Sequence, residues 1–214
     1  SGLNYTFVSG YIAYKFSREH SGFSVGFERK ISHDLGLFAG AEIHDLTATD
    51  DAWRLTPTEQ SFVSLGFKNT FRDYYRRQGV QFHVSVRPTP HHEFLFSPRW
   101  DEHEPLENTT NYSFFRDDES YRPNQPVLPA DLNAIVLGYT YDSRGLLEAG
   151  PAGTYERHLT DDLFRGSRRQ DFGARIDWTS EIAGRVMGGD YTFERHILNA
   201  RAYVPLSPRQ SLAG

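Results

Sequence analysis

Apolar and polar residues alternate one by one along most of this chain, a period that sends successive side chains to opposite faces of an extended strand. In GFSVGFERKI, Phe23, Val25, Phe27 and Ile31 fall on one face and Ser24, Gly26, Glu28 and Lys30 on the other, with Arg29 the exception. GVQFHVSVRP divides more cleanly, with Val80, Phe82, Val84 and Val86 opposite Gln81, His83, Ser85 and Arg87. A shorter run sets Val63, Leu65 and Phe67 against Ser64, Gly66 and Lys68. Further along, Ile135, Leu137, Tyr139 and Tyr141 share a face, as do Phe172, Ala174, Ile176 and Trp178 against Gly173, Arg175 and Asp177. Leu198, Ala200, Ala202 and Val204 oppose Asn199, Arg201 and Tyr203. Turn signals such as SREHSG, HDLG, TPHH and PAG separate the runs. The pattern predicts about nine or ten strands, no amphipathic helix, and an all-β, antiparallel fold.

Alternation alone serves a soluble sandwich as well as a membrane barrel. Sandwich strands are usually about 5 or 6 residues long, whereas many of these runs approach the roughly 9 to 11 residues with which a tilted strand crosses a bilayer. Aromatic residues near the run ends, among them Tyr14, Phe16, Tyr139, Tyr141 and Trp178, suit interfacial girdles. The expected fold is an antiparallel transmembrane β-barrel of the outer-membrane type. Residues 1–214 read as a partial barrel domain, with both ends of the sequence falling in mid-pattern as though cut. No apolar run approaches the roughly 18 residues of a membrane helix, and low mean hydropathy does not bear on a barrel with a polar lumen. The rhythm breaks over 98–130, where Pro and charge are dense; this segment reads as a long loop, extracellular or folded into the lumen.

Charge and composition narrow the partners. With 23 Lys+Arg against 28 Asp+Glu and no basic block, nucleic acid is not expected as a partner. The absence of Cys removes a disulfide framework, a cysteine-zinc site and a thiol nucleophile.

Two short motifs stand out. Tyr141-Asp142-Ser143-Arg144 closes an alternating run, with Gly153 beyond it, and Gly188-Gly189-Asp190 precedes a strand that ends Tyr203-Val204-Pro205-Leu206. In order and spacing these resemble the bacterial surface-antigen domain of the BamA-type superfamily, with Gly145 where that pattern often has a second Asp and Pro151 one position late. The resemblance covers roughly the last third of the chain and implies a C-terminal barrel, incomplete here. It also implies a bacterial outer-membrane location, and a role in outer-membrane protein assembly or in protein translocation and secretion. Its partners would be outer-membrane lipids, lipopolysaccharide, and client or passenger proteins. A passive pore or the anchor of a fused passenger domain is the alternative, and a lipid hydrolase a third. Phe164-Arg165-Gly166 precedes the strand that the family's inward-loop motif should follow, and reads as coincidence.

Candidate chemistry is weak. His91-His92-Glu93 and Asp101-Glu102-His103-Glu104 offer metal-ligand types, but adjacent histidines on an extended chain diverge, and solvated turn and loop charges are the expectation. His83 with Ser85, or His196 with Asn199, could supply a hydrolase pair, but no nucleophile motif accompanies them. The expectation is therefore a protein without catalytic residues, metal or cofactor. Lys68, His83, Arg87, Arg175, Asp177 and Arg201 are candidates for a lumen wall of mixed sign, in which cross-strand pairing neutralises charge. Asp142 and Arg144 are expected to form a structural pair at a strand end.

Overall fold

The computed structural model describes residues 6–15, 20–49, 57–68, 71–107, 112–115, 120–124, 127–145, 147, 172–207 and 210–213. Eight strands of ten to fifteen residues form one sheet: β1 (Thr6–Lys15), β2 (His20–Ser32), β3 (Leu37–Ala48), β4 (Tyr75–Thr89), β5 (His92–Pro105), β6 (Ala130–Asp142), β7 (Gly173–Ala183) and β8 (Phe193–Ser207). A four-residue segment, β9 (Gln210–Ala213), adds to β8. Every strand pairs antiparallel with its neighbours in the chain. The sheet is open: β1 and β9 are its edges, and it is not closed into a barrel.

Two expectations are corrected. The run Val63/Leu65/Phe67 is not a strand but lies in a helix, α1 (Pro57–Phe67). Pro57 opens the helix, where a missing N–H costs nothing, and Glu59 sits in the first turn. Lys68 follows with a left-handed φ of 53°. The segment 98–130 is a loop only from 106 onward, because β5 continues to Pro105 and pairs on both sides. A proline in a central strand normally argues against one, since it donates nothing to the ladder. Here the β4–β5 pairing is interrupted between Gln81↔Arg99 and Val84↔Phe96, opposite Pro98. The Phe82 carbonyl, which a residue other than proline at 98 would serve, instead accepts the Ser97 hydroxyl at 2.7 Å.

Register assigns the faces. The rows Ser24↔His44↔Gly79↔Asp101 and Glu28↔Gly40↔His83 run along one face; Val25↔Ile43↔Val80↔Trp100 runs along the other. The polar face is buried and the apolar face exposed, the reverse of a sheet packed on an apolar core. Val8 and Ile12 are 78% and 85% exposed, whereas Glu181 and Asp101 are 1% and 2% exposed.

The β2–β3 turn depends on Gly36, whose φ is 55° and where a Cβ would collide with the Arg87 carbonyl. Gly36→Ala should lower stability by at least about 1–2 kcal/mol, the left-handed penalty, in chemical unfolding. Gly184→Ala, with φ −170° and open space around it, should change the midpoint little. Equal effects would remove the turn argument.

Candidate functional site

The inner face holds the chemistry of the molecule. A buried charge is tolerated only when paired and hydrogen-bonded, and here several pairs join strands that are not neighbours. His44 on β3 and Asp101 on β5 meet at 3.1 Å across β4. Register puts Gly79 directly between them, and a Cβ on Gly79 would collide with Asp101 Oδ1 and the Trp100 carbonyl. The device repeats one strand earlier: Glu28 on β2 and His83 on β4 meet at 2.9 Å across Gly40 of β3, where a Cβ would lie 2.6 Å from His83 Nε2. Between β5 and β7, Arg99 pairs with Glu181 across β6, where Ala134 stands opposite Arg99. Glycine and alanine leave the gaps through which charges two strands apart can touch.

These pairs join into a network. Asp101 Oδ2 lies 3.3 Å from Arg99 Nε and 3.7 Å from Arg77 Nε, Glu42 lies 3.5 Å from His44 Nδ1, and Arg195 Nε donates to Glu181 at 2.9 Å. A continuous line of opposite charges thus crosses the inner face from β3 to β8. Toward the other end of the strands, Arg87 pairs with Glu93 and stacks over Phe38, with its Cζ 5.0 Å from the ring centroid. Arg175 holds Asp177 at 2.9 Å, and Asp177 also accepts the Thr140 hydroxyl at 3.0 Å.

The motif residues converge at the end of β6. Arg144 forks onto Asp142, Nε to Oδ1 at 2.9 Å and Nη2 to Oδ2 at 2.7 Å, and its own N–H donates to Oδ1 at 2.9 Å. Its guanidinium lies 3.6 Å over the Tyr203 ring. The hydrogen bonds to Asp142 hold the Arg144 guanidinium above its ordinary value, so it stays charged. Gly188 is left-handed, with φ 80°; Asp190 exchanges bonds with Asp131, N to O at 2.8 Å and Oδ2 from N at 2.9 Å. That latch ties the β7–β8 connection to the start of β6. Tyr141 packs on His92 at the outer face. Pro205 and Leu206 lie on β8, and Gly153 and Phe164-Arg165-Gly166 lie outside the described residues.

His83, Arg87, Arg175 and Asp177 line the inner face, and Arg201 stands opposite Arg175 in register. Lys68 is corrected: it is buried at the end of α1, not on the sheet. The solvated-loop reading of Asp101 and His103 is also corrected, since both are buried strand residues. His91 Nδ1 bonds the Asp142 carbonyl at 2.9 Å and His92 Nδ1 bonds Tyr139 Oη at 3.0 Å. Ser85 shares the inner face with His83, whose Nε2 is taken by Glu28. His196 stacks on Trp178 at the outer face, opposite in parity to Asn199. Sequence reasoning missed Arg99, Glu181 and Arg195, and it misplaced Asp101 in a loop; Arg99 and Asp101 were hidden by the proline that disguised β5.

Gly79→Val should separate His44 from Asp101 and cost about 3–5 kcal/mol, the range for breaking a buried pair. Asp73→Asn, which loses an exposed pair with Arg122, should cost less than about 1 kcal/mol. Similar losses in a denaturant titration would contradict the assignment. Arg144→Ala should also destabilise by about 3–5 kcal/mol, because it strands the buried Asp142 carboxylate. Arg144→Lys should recover only part of that, lacking the fork and the flat stacking surface. Full recovery by lysine would reduce the contact to simple charge.

Comparison with known proteins corrects the expected family. No curated protein matches the chain, and no surface-antigen or BamA-type family is found. The motifs behind that expectation are a strand-end fork and a loop latch, generic devices that short sequence patterns cannot tell apart between families. The match that is found covers residues 2–143, mostly the part in which only alternation was legible. The chain belongs to the family of unknown function DUF5686, as its C-terminal domain.

Proposed function

We propose that this domain is a membrane-embedded β-sheet, part of an outer-membrane-type barrel, which anchors its protein in lipid around a hydrated inner wall sealed by ion pairs. The observation that carries the reading is the inversion of burial: Phe82, Phe94, Phe96 and Phe27 are exposed while Glu28, Asp101, Arg99 and Glu181 are buried. A soluble monomer rarely exposes so large a contiguous apolar surface.

The apolar band has the right height. On β4 the outward residues Val80, Phe82, Val84 and Val86 span six residue steps, about 20 Å at the usual strand rise, close to the roughly 25 Å lipid-facing band of outer-membrane barrels once side chains are added. Polar groups bound it at one end. There Arg76 pairs outward with Asp45 and Glu104 at 2.6 and 2.8 Å, and Gln78 donates to Glu102 at 2.6 Å. On β2 the exposed Arg29, between Phe27 and Ile31, interrupts the band at the level of Ala39 and Val84. Lipid and lipopolysaccharide are the partners that this surface fits.

The inner wall favours a sealed anchor over an ion-selective pore, because its charges neutralise one another in place. The function is non-enzymatic in this reading. A passenger carried by the same protein, or a client protein moved past it, would be served through this lipid-held frame.

The protein should float with liposomes and require detergent for extraction. A folded, detergent-free monomer in the soluble fraction would sink the proposal. Phe82→Arg should cost about 2–4 kcal/mol of stability in bilayers, whereas Gln78→Arg at the band's edge should cost about 0–1 kcal/mol. Equal costs in liposome unfolding titrations would argue against a lipid-facing band.

A further inference from the structure

The connections at the two ends of the sheet differ. At the end where β3, β5 and β7 finish lie the connections 49–74, 106–129 and 184–192, beside the short 16–19. At the other end, 33–36 and 90–91 are tight turns and 208–209 is a two-residue link, with only 143–172 long. The first end also carries a built cap. The Phe114 N–H donates to the Leu65 carbonyl at 2.8 Å, and Tyr121 Oη donates to the Ser64 carbonyl at 2.9 Å. Arg122 pairs with Asp73 at 2.6 Å, and Asn124 Nδ2 donates to the Leu106 carbonyl at 2.6 Å. Two long connections therefore fold on each other around α1, beyond the outward polar groups Asp45, Arg76 and Glu104.

Outer-membrane barrels carry short turns on the periplasmic side and longer loops outside. Resting on the membrane reading above, we infer that α1 with residues 112–115 and 120–124 forms an external cap, and that the turns 33–36 and 90–91 face the periplasm. The orientation sets Arg29, which forms no ion pair among the described residues, at the periplasmic leaflet. Arg29 stands in register with Ala39 and Val84, inside the apolar band, and its long side chain can snorkel from there toward phosphate headgroups.

The absence of Cys from this sequence makes the test direct. Ser61→Cys on α1 and Asp34→Cys in the β2–β3 turn, both exposed positions, are introduced separately into the full-length protein, in which any cysteine outside these residues is replaced by serine. Intact cells are treated with a maleimide on a polymer too large for outer-membrane pores. Labelling of the Ser61→Cys variant without permeabilisation, with the Asp34→Cys variant labelled only after it, is the expected result. The reverse pattern, labelling of both variants in intact cells, or protection of the Ser61→Cys variant overturns the orientation. Fractionation of the same cells separates the two proposals: protein recovered with membranes but labelled in reverse defeats only the orientation, whereas soluble protein defeats the membrane reading.

Discussion

Charges buried on one face of a sheet need partners, and the paired rows on the inner face supply them by reaching over glycine. Neighbouring strands lie about 4.8 Å apart, so His44 and Asp101, or Glu28 and His83, can touch across an intervening strand only if that strand lends no side chain to the gap. Gly79 and Gly40 provide those gaps. Register and the choice of face follow from this, because a one-residue slip would turn the paired carboxylates and guanidiniums of the inner face outward and the phenylalanines of the outer face inward.

The same constraint explains why the molecule has no ordinary core. Ala134 and Val136, with Phe38, Leu46 and Leu95, lie among the charges, while most of the large apolar side chains lie outside. Aromatic pairs such as Phe82 with Trp100 and Phe94 with Tyr139 knit the outer face, and the hydrophobic effect acts there only if something apolar covers it. A lipid surface, the cover proposed above, would do so without demanding shape complementarity, and the paired polar face behind it would then need no second sheet.

At the end of β6, the fork of Arg144 on Asp142 and the stacking on Tyr203 join residues about sixty positions apart in sequence into one corner. The corner is structural, and its ingredients are common. That is why the motifs suggested a better-known superfamily while the matching family lies mainly in the N-terminal two thirds.

Much of the fold was legible in the sequence because period two survives wherever one face of a strand differs in polarity from the other. The strands at β2, β4, β6, β7 and β8 and their faces follow from that period alone. The sequence could not reveal that Pro98 sits within a strand, because the Ser97 hydroxyl that rescues the Phe82 carbonyl acts across the sheet. Nor could it separate strand from helix at Val63/Leu65/Phe67, where so short a run fits either period. The identity of the inner network was beyond it too. Only register brings His44 and Asp101 to opposite sides of Gly79, and a contact between strands two apart leaves no local pattern in the chain.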